Sequence, residues 1–497
     1  MVTDQSQQHK YRSSFGATLL FSGVQIYQIL VRLIRSKFIA LFLGPTGMGI
    51  TSLLRSTTDL ISATTNLGLK TSGVKSVAAS FSDGNLFQIS KTIKILRRLI
   101  LITGVLGTLT CALFANVWSE LSFNSGNYTI AFVAVSIIIL IDQLNNGELA
   151  LLQGMRQKKV LAKANIFGQT LGLTLTVPLY YYYGVKAIVW VLVLSSLVTF
   201  SITRYYTSRI KLEQVNLTWR ETFFMGREMI ILGGFLGLQV ILEQLVTYIV
   251  RNFISDRGGL DDVGLYSAGT AIITTYLGLI FSAISTDYFP RLSSTKTKEE
   301  FQNAVHIQAD LSILFFVPLV LAFIVFIRPI IILLYSESFL PIEHMLYWSV
   351  GATLIKAAGW AVSFTLLAKA KPVHFFLNEL IASSYSLPLK LVGYQLYGLT
   401  GFGIATMCAY ILYLIQISIV SNRLFDFSYK KDIWQLLIKW NAIIIGCIVL
   451  KFYMTEYWGY LAGVLCLFFS SIAIIKQLNQ RLDLMTLLKN KRKRSRN

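Results

Sequence analysis

Fourteen apolar stretches, each near the roughly 20 residues that cross a hydrocarbon core, leave this chain little sequence from which to build a water-soluble domain. They are read at 15–43, 46–69, 95–118, 127–153, 160–183, 185–206, 228–252, 263–289, 305–335, 341–368, 372–395, 398–421, 434–454 and 457–477. Composition agrees. Only 14% of the residues are charged and 54% are hydrophobic, with a mean hydropathy of +0.60, whereas a soluble domain carries about 25% charge. A chain of 497 residues with so few charges cannot cover a water-facing surface, so the bilayer is its solvent. The expected fold class is an all-α integral membrane protein with 14 transmembrane helices.

The loops between these runs alternate in charge. One set holds Lys10 and Arg12, then Lys70 to Arg98, Arg156 to Lys163, Arg204 to Arg227, Arg291 to Lys298, Lys369 and Lys371, and Arg423 to Lys439. It ends in the tail from Lys489 to Arg496. The opposite set carries only Lys186, Arg257 and Lys451. This is the positive-inside pattern, and it puts both termini in the cytoplasm, which requires an even number of spans. The net charge of +21 is therefore a topology signal, not a basic face for nucleic acid. The polar start, Met1 to Ser14, has no apolar segment followed by a cleavage site, so no cleaved signal peptide is expected. The two longest loops, after the second and sixth runs, are too short for folded domains; their basic, amphipathic sequences are expected to lie on the cytoplasmic surface. Cys111, Cys408, Cys447 and Cys466 all fall in apolar runs, which points to neither a disulfide nor a zinc site.

A weak repeat divides the chain. Gly44-Pro-Thr-Gly-Met-Gly49 follows the first run and Gly259-Leu-Asp-Asp-Val-Gly264 follows the seventh, each with two glycines five apart opening the next helix. The basic turns Gln153 to Arg156 and Ala368 to Lys371 correspond in the same way. An offset of six spans implies two pseudo-symmetric six-helix bundles, 1–210 and 211–425, followed by helices 13 and 14 over 426–480 and a basic cytoplasmic tail over 481–497. Transporters built of repeats place the substrate site between them near mid-membrane.

Ionisable residues inside the runs carry the most information, since each costs about 2.5–3.5 kcal/mol at a helix centre and needs a partner or a watery cavity. Ser22, Gln25, Arg32 and Arg35 share one stripe of the first helix; Ser52, Arg55, Asp59, Ser62 and Asn66 share one of the second. Arg32 and Arg55 lie at similar depth and are expected to flank one cavity. Ser349, Thr353, Lys356, Trp360 and Ser363 form a corresponding stripe on the tenth helix. Asp142, Asn145, Asn146 and Gln153 share a face of the fourth, and Gln239 and Glu243 are neighbours on the seventh. Interhelical ion pairs explain any one of these residues; stripes on several helices favour a lined cavity, because membrane seams prefer small residues. Counted together, Arg32, Arg35, Arg55 and Lys356 balance Asp59, Asp142, Glu148 and Glu243, so the total does not give the sign of a substrate. Guanidinium matches phosphate oxygens in a bidentate geometry, while buried carboxylates suit a proton or Na⁺. Asp287, Arg291, His306 and Asp310 lie near span ends and are read as interfacial. There is no GxxxxGK[ST] loop, HExxH or GxSxG, and no long outward loop with paired carboxylates, so neither an enzyme nor a bound cofactor is expected.

Leu43-Gly-Pro-Thr-Gly-Met-Gly-Ile50, with Asn66-Leu-Gly-Leu-Lys-Thr-Ser-Gly-Val-Lys75, resembles the O-antigen and polysaccharide flippases (Wzx-type translocases) of the multidrug/oligosaccharidyl-lipid/polysaccharide exporter superfamily. The layout of spans extends that resemblance over essentially the whole chain. It implies movement of an undecaprenyl-pyrophosphate-linked oligosaccharide from the cytoplasmic to the periplasmic leaflet of a bacterial inner membrane, by alternating access. It further implies membrane lipid as surroundings, H⁺ or Na⁺ as counter-ion, and a polysaccharide polymerase and chain-length proteins as partners. Cationic cavity residues are expected to meet the pyrophosphate and sugar, with Arg32, Arg55, Lys356 and Arg35 as candidates; Asp59, Asp142 and Glu243 are the candidates for ion coupling. Competing readings are a lipid II flippase, a multidrug antiporter and, from another class, a membrane glycosyltransferase or polymerase.

Overall fold

Apolar runs bounded by basic loops fold as helices. The computed structural model describes residues 2–369, 371–454 and 456–482, except the side chains of 2–22, 456 and 482. The tail beyond 482 and the side chains of Lys10, Arg12 and Ser22 lie outside the described residues. Among the described residues there is no strand. In chain order the helices are α1 (Val2–Asn66), α2 (Leu69–Ser82), α3 (Leu86–Leu113), α4 (Ala115–Phe123), α5 (Thr129–Gly154), α6 (Lys158–Tyr183) and α7 (Ile188–Ser208). They continue with α8 (Trp219–Ile272), α9 (Gly278–Ser293), α10 (Lys298–Leu334), α11 (Glu343–Ala368), α12 (Pro372–Phe425), α13 (Lys431–Tyr453) and α14 (Glu456–Leu482). Among the described residues nine helical stretches, some of them joining two helices, are long and apolar enough to cross a membrane. Several bend sharply within their length: α1 at Gly44, α8 at Gly259, and α12 at Tyr397 and Gly398. A five-residue π-helical turn, Ile273–Leu277, joins α8 to α9.

Helix starts follow the local capping chemistry. Asn85 accepts from the amides of Phe87 (3.0 Å) and Gln88 (3.3 Å), so α3 begins nine residues before the apolar run read at 95. Arg97 and Arg98, which end the basic loop set and also fall inside the run read from 95, lie well within α3. Thr218 and Glu221 form a reciprocal capping box at the start of α8, with Glu221 accepting from the Thr218 amide at 2.7 Å and the Thr218 hydroxyl accepting from the Glu221 amide at 3.2 Å. These bonds hold the exposed Glu221 carboxyl below its usual range. Thr297 and Glu300 repeat the device before α10. The segment between α1 and α3, expected at the membrane surface, is largely helix α2.

The chain forms two compact units, Met1–Ser267 with Leu334–Ser336, and Ala268–Leu333 with Glu337–Asn497. In the first, α5 packs on α3 and α7, and α6 on α7 and α1. Two apolar clusters stabilise it, one around Leu54, Cys111, Phe132 and Tyr180, the other around Leu96, Leu151, Leu161 and Met229. On α5 the first cluster ends at Ile139 and the second begins at Leu144 and Leu149. On α6 the second cluster holds Leu161 and Ala164, and the first holds Leu179 and Tyr180. Asp142 on α5 and Gln169 on α6 fall between the two. In the second unit α11 packs along α12, with α13 against α11 and α14 against α13.

The repeated glycine turns meet inside the first unit. Gly44 (φ 64°, ψ −168°) and Gly259 (φ 77°, ψ −174°) adopt the same left-handed-side backbone, a conformation that glycine alone enters freely. Each is followed by a helix start, and the two starts cross in contact. A Cβ on Gly49 would lie 2.0 Å from the Leu260 carbonyl oxygen, and one on Gly264 would lie 1.9 Å from that of Pro45. Thr46 donates to Asp261 at the same crossing. Residues 45, 46 and 49 thus meet 264, 261 and 260 in a reciprocal arrangement.

Candidate functional site

The polar stripes of α1, α5, α6 and α7 converge on a cavity of about 360 Å³ in the first unit. Arg32, Arg35, Arg55, Asp142, Asn145 and Asn146 line it, together with Gln169, Ser195, Ser196 and Thr199. Helical spacing explains the convergence: 142, 145 and 146 share one face of α5, and 32 and 35 share one face of α1. Arg55 Nη1 is 3.1 Å from Asp142 Oδ2, with both side chains partly exposed to the cavity. Asp59, one turn along from Arg55, is exposed and lies within electrostatic reach of Arg55, Asp142 and Arg251. Arg251 donates to the Ser52 carbonyl at 3.2 Å. Three buried polar atoms on the cavity's residues have no protein partner: Arg35 Nε, Asn145 Oδ1 and Gln169 Oε1. Such groups are costly unless water or a ligand meets them. A neighbouring cavity of about 410 Å³ shares Arg32, Asn145, Gln169 and Thr199, and adds Gln25, Gln28 and Gln153.

A second cavity, about 340 Å³ and largely apolar in its walls, lies within the second unit. Lys356, Trp360 and Ser363 reach it from α11, as their shared stripe predicts. Ser349 and Thr353, on the same stripe, are packed away instead, 3% and 2% exposed. Glu379, Ser383, Ser386 and Lys390 reach it from α12 at i, i+4, i+7, i+11 spacing, and Thr406, Tyr410 and Tyr413 from beyond the bend at Gly398. Tyr413 donates to Glu379 Oε1 at 2.6 Å, and Gln416 donates to Asn378 Oδ1 at 2.8 Å. Neither Glu379 nor Lys390 stood out in the sequence, although their stripe is as regular as the one that singles out Lys356 on α11.

The remaining candidates separate. Glu148 is 6% exposed and bonds Arg97 at 2.7 Å and Arg204 at 2.9 Å, an interhelical brace among α5, α3 and α7. Glu148→Ala is expected to lower stability by about 2 kcal/mol, because it strands two partly exposed guanidiniums. Thermal unfolding of the purified protein measures this; an unchanged transition would reject the bracing role. Glu243 is exposed and lines neither cavity; its backbone carbonyl accepts from the Thr247 hydroxyl at 2.9 Å. Near the span ends Arg291 donates to Gln308 at 2.7 Å, Arg481 pairs with Asp310, and His306 packs on Phe427 and Tyr429, all ordinary packing contacts.

The fold is similar to that of the lipid II flippase MurJ in an inward closed conformation, with TM-score 0.68 and 14% identity over 94% of this chain and 99% of that one. It is also similar to an inward-facing multidrug resistance MATE family transporter of the MOP superfamily, with TM-score 0.66 and 16% identity over 82% and 98%. A curated Shigella flexneri relative named "Putative O-antigen transporter" is 22% identical over 308 residues, 61% of this chain and 72% of that protein. The profile of the family described as "Polysaccharide biosynthesis protein" (Polysacc_synt) matches residues 16–296, more than half of the sequence. The chain is a multi-pass membrane protein with the MOP-superfamily fold, and it belongs to the polysaccharide biosynthesis protein family.

Proposed function

We propose that this protein is a flippase that carries an undecaprenyl-pyrophosphate-linked oligosaccharide, an O-antigen or capsule repeat unit, from the cytoplasmic to the periplasmic leaflet of a bacterial inner membrane. The observation that carries this reading is the charge of the first-unit cavity: Arg32, Arg35 and Arg55 face it against the single carboxylate of Asp142. That excess suits a pyrophosphate, whose oxygens guanidinium binds in pairs. The unpartnered Arg35 Nε supplies a further donor. The relative from Shigella flexneri supports the polysaccharide pathway, and its name points to the same substrate class.

In this proposal 14 helices span the membrane, two six-helix bundles over 1–210 and 211–425 are followed by helices 13 and 14, and both termini are cytoplasmic. The interruptions at Gly44, Gly259 and Gly398 support that count, since each lies where one apolar run gives way to the next. Transport is by alternating access, with no chemical step. Asp59, Asp142 and Glu243 are the proposed proton- or Na⁺-coupling carboxylates, and Asp142 is the best supported because it already holds Arg55. Lys356 is proposed to meet the sugar. A polymerase and chain-length proteins would receive the product.

The test is complementation of flippase-deficient cells that still make the lipid-linked unit, with surface polysaccharide as readout. Wild type is expected to restore it. Arg35→Ala and Arg55→Ala are each expected to lower it about tenfold or more at normal membrane levels, with Arg32→Ala and Lys356→Ala weaker. Full activity in all four variants would reject the assigned site. Failure of wild type with every lipid-linked unit offered would reject the function.

A further inference from the structure

The two cavities differ in their chemistry, and the difference bears on the sugar. In the second unit Lys356 and Lys390 face the cavity with one carboxylate, Glu379, whose Oε1 is already taken by Tyr413 at 2.6 Å and Asn378 at 3.4 Å. Neither lysine makes an ion pair within 4.0 Å among the described residues. Lys356 meets the Tyr410 hydroxyl and lies within electrostatic reach of Glu379, Lys390 lies within reach of Tyr410, and rings surround both. Lys356 Nζ lies 5.4 Å from the centre of Phe281 and 5.5 Å from that of Tyr410, and Lys390 Nζ lies 5.9 Å from that of Phe402. An ammonium in a membrane helix without a carboxylate is costly, so the second positive charge requires an anion or water. The walls restrict what anion that is. Trp360, Phe364, Phe375 and Tyr385 line it, so much of the wall is aromatic, and the space of about 340 Å³ is at the small end for a ligand pocket. Flat aromatic walls take the apolar face of a pyranose ring, while hydroxyls and lysines take its polar edge. A lone phosphate would leave those walls unused, and a neutral sugar would leave the excess ammonium unmatched.

We propose that the second-unit cavity binds a sugar residue that carries a carboxylate, such as a uronic acid, with Lys356 and Lys390 on the carboxylate and the aromatic walls on the ring. The inference rests on the flippase reading for the origin of that sugar, not for its binding chemistry. Glu379, held by Tyr413 and Asn378, then accepts from ring hydroxyls and keeps the cavity from accumulating two unbalanced charges when empty.

Saturation-transfer NMR on the full-length purified protein tests it, with two soluble probes. One is a methyl disaccharide ending in glucuronic acid; the other is the same molecule with the carboxyl reduced, ending in glucose. Wild type is expected to give at least threefold stronger transfer to the acidic probe. Lys390→Gln and Lys356→Gln are expected to bring the ratio near one, while Lys390→Arg keeps it. Equal transfer to both probes in wild type, or a preference that survives both glutamine variants, would overturn the proposal. Flipping of the two lipid-linked forms in proteoliposomes separates the two ideas. An acidic preference in binding with no movement of either form would reject the flippase reading and leave the subsite standing. Movement of both forms at equal rates with no binding preference would do the reverse.

Discussion

Gly264→Val is expected to abolish accumulation of folded protein in the membrane. The Cβ alone would sit 1.9 Å from the Pro45 carbonyl oxygen and 3.0 Å from the Gly49 amide nitrogen, so the obstacle is backbone on the facing helix. No rotamer change relieves such a clash; the crossing itself must open, and overpacking of even ordinary side chains costs about 1–3 kcal/mol. Gly49→Val should fail in the same way, since its Cβ would meet the Leu260 carbonyl at 2.0 Å. Gly446→Val is the matched control, because a Cβ there meets nothing within 4 Å. Fluorescence-detected size exclusion of the three variants reads the result directly. A Gly264→Val protein that elutes as a normal monodisperse peak at wild-type yield would show that the crossing is not a packing constraint.

This crossing shows where sequence reading stops. The two glycine turns were legible as a repeat, because two glycines five apart after an apolar run mark a tight turn that opens a new helix. That they touch was not legible: the offset of 215 residues that relates 49 to 264, and 46 to 261, says the turns are alike, not that they are neighbours. Boundaries failed for a different reason. Hydropathy detects the apolar centre of a helix, but α3 begins at an asparagine cap, nine residues out in polar sequence. Arg97, counted with the basic loop although it falls inside the run read from 95, lies on α3 beside α5, where Glu148 is its partner. Glu148 was thereby explained as a brace instead of a cavity group.

The site was legible in part, and the omission is instructive. Arg32, Arg35, Arg55 and Asp142 were singled out by helical spacing, and all four line one cavity. Glu379 and Lys390 escaped notice because they stand eleven residues apart in a run otherwise read as plain apolar helix. Pooling the mid-membrane charges that were singled out then gave a balance and no sign for the substrate. Divided by cavity, the balance disappears: Glu148 belongs to a brace, Glu243 to neither cavity, and each cavity is left with more cations than carboxylates. Local charge, not the total, decides what an enclosed site can hold, because charges on separate cavities do not neutralise one another's desolvation.

Asp142→Asn is expected to separate movement of substrate from its driving force. In the folded protein Asp142 holds Arg55 at 3.1 Å, with Asp59, Arg35 and Arg251 the other charged groups around that pair. A phosphate entering the cavity must compete with the Asp142 carboxylate for the same guanidinium. Neutralising the carboxylate, by a proton or by the amide, removes the competitor and leaves Arg55 free for the anion. If that exchange is the coupling step, the asparagine variant is locked in its anion-binding form. It should still equilibrate a fluorescent pyrophosphate-linked lipid between leaflets of proteoliposomes within about threefold of wild type, while net accumulation driven by a pH or Na⁺ gradient falls at least tenfold, or about 1.4 kcal/mol of lost coupling. Arg55→Ala makes the contrast, because it removes the anion partner and should depress both readouts together. A merely structural ion pair predicts another pattern: Asp142→Asn would lower protein yield, equilibration and accumulation in parallel, and the double variant with Arg55→Ala would be no worse than either single one. The two patterns differ in the ratio of the readouts, so a change in the amount of folded protein cannot imitate uncoupling.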